Sequence, residues 1–326
     1  MSAPGADWRP GAGVEALRLR ARLLEKTRCF FAERGVLEVE TPLLSATTVS
    51  DVHIHSLRTH YEGPGAAGGR ELWLQTSPEF AMKRLLASGS GPIYQVGRAF
   101  RDGERGPLHN PEFTLLEWYR PGFDHHALMD EVDLLLAALL GTAPAERLSY
   151  AEAFSRHAGL DPHRASDADL VEAARERGLE GVGLGAGDRD GWLALLLSHA
   201  VEPRLPRSRP TFLHDFPASQ AALARVRPGD PPLAERFEVY AGGVELANGY
   251  HELRDAREQR ARFERDLARR RERGLPLPPV DERLLAALDA GLPECAGVAL
   301  GFDRLLLIAA GAASLDEVMA FTVEIA

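Results

Sequence analysis

The stretch Ile93–Tyr119 constrains this chain more than any other. Two apolar runs, residues 93–100 and 113–119, flank a loop that reads R-D-G-E-R-G-P-L-H-N-P-E. A loop so rich in charge, glycine and proline cannot be core, and its flanks have the composition of strands, so a β-hairpin with a long tip is predicted. Arg101 stands where the first strand ends, and His109, Asn110 and Glu112 stand where the second begins. Phe113, Glu117 and Tyr119 are even numbers of positions apart and so face one side of their strand. That side offers an aromatic ring, a carboxylate and a phenol. A guanidinium suits a phosphate through bidentate, charge-assisted bonds. A ring can stack on a base, and a carboxylate or phenol can bind an amine. On this stretch alone, a surface hairpin with an ordinary salt-bridged loop reads equally well.

Other segments narrow the choice. Leu17, Leu24 and Phe31 recur at helical spacing within residues 14–34, with Gly35 as a stop. Residues 35–42, G-V-L-E-V-E-T-P, read as a short strand ended by proline. His53, His55 and His60 raise the question of a metal on one strand face, but no cysteine or further histidine cluster supports it in sequence, and a solvated strand is preferred. The glycine-rich residues 63–69 lack a strand–GxGxxG–helix setting and read as a hairpin tip. A strand over 71–75 leads to Thr76 or Ser77 as N-cap, followed by Pro78 and Glu79, a good start for a helix running to Leu86. Glu79 in that first turn would at the least complement the helix dipole.

Residues 127–140 read as a helix. From 141 to about 232 the chain changes character, with short helices rich in Ala, Leu, Arg and Asp, broken at 181–191 and by prolines. This reads as a helical insertion, with one strand running into a turn over 211–220. Residues 236–252 form a second hairpin, turning at Gly242-Gly243. On it, Glu245 and Glu252 flank Asn248 and Tyr250. The two carboxylates suit Mg²⁺, which takes few protein ligands and keeps phosphate oxygens and waters. One exposed and one salt-bridged Glu is the simpler alternative, and the Arg101 hairpin tips the choice to the metal. Residues 255–273 read as a charged, solvated helix, and 281–290 as another. The last element, G-V-A-L-G-F-D-R-L-L-L-I over 297–308, is a small-residue strand entering a helix with Arg304 in its first turn. Gly and Ala there allow close approach of a ligand. A cation at a helix N-terminus is unfavourable without an anion, which marks Arg304 as a phosphate candidate.

The bulk properties exclude several classes. A chain of 326 residues with net charge −10 has ample core and no general excess of positive charge for a broad nucleic-acid face. Its two cysteines, Cys29 and Cys295, are too few for a disulfide framework and read as buried or half-buried thiols. The first residues carry no basic start or apolar run, so no signal peptide is expected. The aliphatic runs near 134–140 and 193–197 are far short of a membrane span. A cytoplasmic protein is expected.

F-R-x-x-E followed by H-N-P-E-F-T resembles motif 2 of class II aminoacyl-tRNA synthetases, of the lysyl group. V-E-T-P at 39–42 resembles motif 1, G-V-A-L-G-F-D-R at 297–304 resembles motif 3, and T-S-P-E, F-P-A-S-Q, R-F-E-V-Y and E-L-A-N-G-Y-H-E-L agree in order and spacing. The resemblance spans nearly the whole chain. It implies an α+β class II catalytic core, a mainly antiparallel sheet flanked by helices, as a single domain over 1–326 with the helical insertion at about 141–232. It implies ATP and Mg²⁺ as cofactors, and a homodimer through motif 1. The first helix starts near Val14, leaving no room for the N-terminal anticodon-binding domain of lysyl-tRNA synthetases, so tRNA is not the expected acceptor. Within the group, the chain is most similar to the short paralogues that join (R)-β-lysine to a lysine of elongation factor P. Ala299, where lysyl-tRNA synthetases usually have Gly, would crowd the α-amine of lysine and favour the β-isomer.

In residue terms the resemblance implies Arg101 and Arg304 as the catalytic cations on a bent ATP. His109, Asn110, Phe113, Asp102, Gly103, Leu246 and Gly301 complete the nucleotide site, with Mg²⁺ on Glu245 and Glu252. The substrate amines would meet Ser77, Pro78, Glu79, Glu117, Tyr119, Asn248, Glu252 and Ala299. One departure stands out. The family reads R-N-E in motif 2, whereas here Gly103 stands at the Glu position and Glu104 follows it. Either Glu104 substitutes through the flexibility of Gly103 or the contact is lost. The competing readings are a stand-alone lysyl-type adenylating enzyme using α-lysine or charging RNA, and an inactive regulatory paralogue. The second predicts loss of Arg101, Glu245, Glu252 or Arg304, and all four are present.

Overall fold

The two apolar runs around the charged loop do pair as an antiparallel hairpin, from Ile93 opposite Tyr119 to Phe100 opposite Glu112 without a shift in register. The computed structural model describes residues 8–65, 68–179, 183–185 and 187–326. In chain order the elements are α1 (Val14–Ala32), β1 (Leu37–Glu38), β2 (Leu44–Ser45), β3 (Arg58–Tyr61), β4 (Arg70–Leu74), α2 (Glu79–Ala87), β5 (Ile93–Phe100), β6 (Glu112–Pro121), α3 (His125–Leu140), β7 (Glu146–Ser149), α4 (Tyr150–His157), α5 (Asp167–Arg175), α6 (Arg189–Leu196), β8 (Thr211–Pro217), β9 (Val226–Arg227), β10 (Leu233–Ala241), β11 (Val244–His251), α7 (Ala256–Glu272), α8 (Glu282–Gly291), β12 (Cys295–Gly301) and α9 (Phe302–Ala310). The fold is α+β and its strands pair mostly antiparallel. Two compact units are distinguished: Met1–Gly122 with Arg254–Glu294 and Ala299–Ala326, and Phe123–Leu253 with Cys295–Val298.

In the first unit, β1 runs parallel to β5 and β5 antiparallel to β6. A separate three-stranded sheet has the order β2-β4-β3. Helix α1 buries Leu23, Thr27, Phe30 and Phe31, a stripe at helical spacing. Phe31 stacks on Tyr94 of β5 with ring centroids 4.4 Å apart and meets Trp118 of β6 edge-on at 5.3 Å. Such ring pairs add about 0.5–1.5 kcal/mol each beyond area burial. They fix α1 against the hairpin that carries the candidate site.

In the second unit, β7 runs parallel to β8, β8 antiparallel to β10, and β10 antiparallel to both β11 and β9. Helix α3 starts at Asp124, whose side chain accepts from the Ala127 N–H, and ends at Gly141 in a left-handed conformation, φ 70°. Tyr150, Phe154 and Phe216 pack at the centre of the apolar cluster formed by α4, α5, α6 and β8.

Several expectations need correction. The segment 141–232 is not all helical between its turns, because Glu146–Ser149 forms β7 and adds a parallel strand beside the anticipated β8. Of the residues around His53, only 58–61 are strand, so His53 and His55 lie in a loop and share no strand face. Helix α7 is not solely a solvated face: Gln259, Arg262, Phe263 and Arg270 are buried, and Arg270 donates to the Asp51 and Pro276 carbonyls. Cys295 is buried but Cys29 is exposed. The N-terminal residues 1–7 and part of the 63–69 and 181–191 segments lie outside the described residues. No described helix is long and apolar enough to cross a membrane.

Candidate active site

The first unit assembles a cationic patch at the tip of the β5–β6 hairpin. Arg101 directly follows β5, and its guanidinium lies 5.1 Å from the Phe113 ring centroid. Its Nε is buried with no hydrogen-bond partner among the described residues. Gly103 adopts φ +77°, a conformation that L side chains rarely take, and nothing lies within 4 Å of where a Cβ would stand. The turn at Gly103 brings the Glu104 carboxylate back to 3.7 Å from Arg101. Arg304, in the first turn of α9, contacts His109 Nε2 at 2.8 Å and donates to the Leu108 carbonyl at 3.2 Å. Desolvation and the nearby Arg304 charge lower the His109 pKa below the usual histidine value, with Arg101 adding to the effect and Glu104 opposing it. Neutral His109 can then accept a hydrogen bond from Arg304. Asn110 is committed to backbone, donating to the Glu112 carbonyl at 2.6 Å and accepting from Val323 N–H at 3.1 Å. It holds the loop that presents His109.

The same strand carries an anchored carboxylate. Glu117, 2% exposed, accepts from Ser77 Oγ at 2.7 Å and from the Tyr119 hydroxyl at 2.8 Å. Ser77 in turn accepts from the Glu79 N–H at 3.1 Å, but the N-cap is Pro78 rather than the expected Thr76 or Ser77, and no side chain caps the helix. Glu79 accepts from Lys83 Nζ at 2.6 Å one helical turn on, and Lys83 is 2% exposed. Two carboxylates, a phenol and a hydroxyl thus meet the base of α2.

The rear of the patch is pinned by Asp303. It is 2% exposed, accepts from Thr114 N–H at 2.6 Å and from Arg20 at 2.5 Å, and Arg20 also donates to Thr114 Oγ1 at 2.6 Å. These bonds tie α9, β6 and α1 together and so set where Arg304 starts. Ala299 and Gly301 are half-buried on β12 just before α9.

The second unit carries Glu245, Leu246, Asn248 and Glu252 on or next to β11. Glu245 and Glu252 are seven residues apart, which in a regular strand would place them on opposite faces. The register between β10 and β11 shifts, however: Val239 pairs with Ala247 but Tyr240 pairs with Glu245. The extra residue is a β-bulge, and it brings Glu245 into phase with Asn248, Tyr250 and Glu252. Arg236 and Glu238 of β10 pair with Tyr250 and Asn248 and share this face. Glu238 accepts from Arg236 at 2.5 Å and from the Tyr240 hydroxyl at 2.6 Å. Burial, then Glu238 and Glu245, push the Tyr240 hydroxyl well above its usual pKa, so it stays a donor. Asn248 Oδ1 is buried with no hydrogen-bond partner among the described residues. A face with several carboxylates and an orphaned amide oxygen has a donor set that fits a hard cation such as Mg²⁺ and an amine.

The family described as tRNA synthetases class II (D, K and N) matches residues 6–324. This chain belongs to that family. It is also 55% identical over 316 residues to a protein of Vibrio cholerae serotype O1 named elongation factor P--(R)-beta-lysine ligase, covering 97% of this chain and 98% of the relative. A Vibrio vulnificus protein of the same name is 54% identical over 321 residues, covering 98% and 99%. One from Klebsiella pneumoniae is 53% identical over 319 residues, covering 98% of each.

Within this class II core, the expected residues fall into two sets. Ser77, Pro78, Glu79, Arg101, Asp102, Gly103, His109, Asn110, Phe113, Glu117, Tyr119, Ala299, Gly301 and Arg304 belong to the first unit, and Glu245, Leu246, Asn248 and Glu252 to the second. Leu246 is 2% exposed and packs as core. Arg236, Glu238 and Lys83 were not singled out from sequence. Alternation in R-F-E-V-Y signals the first two, since Arg236, Glu238 and Tyr240 are spaced by two. For Lys83, spacing of four from Glu79 was the available sign.

Proposed function

We propose that this chain activates (R)-β-lysine with ATP and transfers it to a lysine side chain of elongation factor P. Support comes from the near-full-length likeness to relatives of that name, and from side-chain chemistry that suits the first step. The observation that carries the reading is a patch of Arg101, Arg304 and neutral His109 beside the Phe113 ring, on the same hairpin as the anchored Glu117 carboxylate. The cations would hold a triphosphate and Phe113 an adenine. Glu79 and Glu117 of the first unit would hold an amine of a diamino acid.

The substrate carboxylate attacks the α-phosphorus, the bond to the β-phosphate oxygen breaks, and pyrophosphate leaves with its electron pair. The acceptor amine then attacks the acyl carbon, an amide forms, the bond to AMP breaks, and the amine proton is lost to solvent. Catalysis is positioning and charge stabilisation, with no covalent enzyme intermediate. Glu245 and Glu252, with Glu238 on the same face, would hold Mg²⁺. Glu104 takes the part of the motif 2 Glu through the Gly103 turn. The protein works in the cytoplasm as a homodimer joined through residues 35–42, and tRNA is not its acceptor.

ATP–pyrophosphate exchange with (R)-β-lysine and L-α-lysine tests the reading, followed by mass spectrometry of elongation factor P. Strong preference for β-lysine and a matching mass increase on the factor are expected. Preference for α-lysine would favour a stand-alone adenylating enzyme, and absence of exchange an inactive paralogue.

A further inference from the structure

We propose that the second unit binds a divalent transition-metal ion, of the zinc class, through His125, Glu235 and His251. One ligand atom from each of these residues lies within 4.8 Å of those of the other two. All three are buried, at 2%, 7% and 5% exposure. They come from three elements: His125 opens α3, Glu235 lies in β10 at the register shift between Ala234 and Phe237, and His251 ends β11. His251 Nδ1 is already 2.7 Å from Glu235 Oε2.

His125 points to a ligand. Both of its ring nitrogens are buried without a hydrogen-bond partner among the described residues. The nearest carboxylate oxygen of Asp215 is 3.8 Å from its Nε2, beyond hydrogen-bond reach. Buried polar atoms are normally satisfied, and an imidazole with neither nitrogen engaged is the exception that calls for an explanation. A metal–nitrogen bond supplies one. Asp215 is then placed to serve as the outer carboxylate that commonly orients a metal-bound histidine.

The donor set decides the class of ion. Two imidazoles and one carboxylate suit zinc and neighbouring transition metals, leaving one position for water, and do not suit magnesium or calcium, which take oxygen ligands. Zinc–nitrogen bonds of about 2.0–2.1 Å put tetrahedral ligands about 3.3 Å apart, so the most widely spaced pair must draw in by about 1.5 Å at most. Two cations compete for Glu235: Arg225 Nε at 3.6 Å and Arg227 at 3.8 Å. Their side chains are 50% and 41% exposed, so both can turn to water. The site is distinct from the carboxylates proposed for Mg²⁺. His251 is one residue from Glu252 and one from Tyr250, so strand alternation turns it to the other face of β11. A metal there would clamp α3 to β10 and β11.

The test uses the full chain, stripped with a chelator and held in excess Mg²⁺ so that hard-cation sites are filled. Co²⁺ is titrated while its visible d–d bands are followed, and Zn²⁺ is counted by elemental analysis. The expected result is one equivalent per chain, a rise in Tm with Zn²⁺ by ligand linkage, and at least a 100-fold loss of affinity in His125→Ala. Glu235→Gln, which keeps the side-chain shape, gives the same loss and serves if His125→Ala does not fold. No uptake by the folded wild-type protein, or equal uptake by wild type and either folded variant, overturns the proposal.

Discussion

Removing Asp303 tests how the tip of the hairpin is held. Asp303 is 2% exposed and accepts from Thr114 N–H at 2.6 Å and from Arg20 at 2.5 Å. Hydrogen bonds to a charged group contribute about 1.5–3 kcal/mol each. Breaking a buried pair by deleting one partner costs about 3–5 kcal/mol. The Arg20 side chain is 20% exposed and keeps its bond to Thr114 Oγ1, so the lower end applies. A carboxylate in the first turn of α9 adds about 0.3–1 kcal/mol through the helix dipole. Asp303→Ala should therefore lose about 3–4 kcal/mol in urea unfolding. Asp303→Asn, which still offers an oxygen to Thr114, should lose about half of that. Because the helix that starts here carries Arg304, the KM for ATP in the exchange assay should rise with the loss of stability. Arg20→Met and the double variant complete a cycle whose coupling should exceed 1 kcal/mol, as for neighbouring charges in one network. A loss under about 1 kcal/mol for Asp303→Ala, with coupling below about 0.5 kcal/mol, would refute the claim that this network positions Arg304.

Four further outcomes are expected. Glu117→Gln should lower kcat/KM for the amino acid about 30-fold or more, as removing one partner of a buried charged contact costs about 2–5 kcal/mol; an unchanged value in the exchange assay would rule out an amine contact. Lys83→Met should destabilise by about 3–5 kcal/mol by stranding Glu79, while Glu79→Gln with Lys83→Met should recover most of it; equal losses in denaturant melts would contradict the pairing. His109 has a lowered pKa, so the unfolded chain takes up its proton first as pH falls. Its contribution is present above about 6.5 and is lost as pH falls through the folded value, so Tm should drop less between pH 7 and 5 in His109→Gln than in wild type. Glu245→Ala should cut ATP turnover by orders of magnitude at fixed Mg²⁺, and full exchange activity in the variant would remove Glu245 from the metal.

Much of this site was legible in the residues themselves. The β5–β6 hairpin appears where charge, Gly and Pro interrupt two apolar runs, and because its pairing has no bulge, the even spacing of Phe113, Glu117 and Tyr119 carries straight into the structure. The Gly242-Gly243 turn and the start of α9 at Phe302, which puts Arg304 in the first turn, were equally local, set by backbone conformation within a few residues.

What tertiary structure alone decided was non-local. Period-two reasoning puts Glu245 and Glu252 on opposite faces, and only the bulge against β10 brings them into phase. Nothing in the local pattern says that Lys83 is buried, that Asn110 is spent on backbone, or that Arg20 reaches a carboxylate 283 positions away. His125 and His251 are separated by more than a hundred residues, and the helix and strands that bring them together are set by packing. A sequence determines the phase of an uninterrupted element, because dihedral preferences and capping act over a few residues. Which elements face one another, and which polar groups are left buried between them, is set by contacts between parts of the chain that local preferences do not reach.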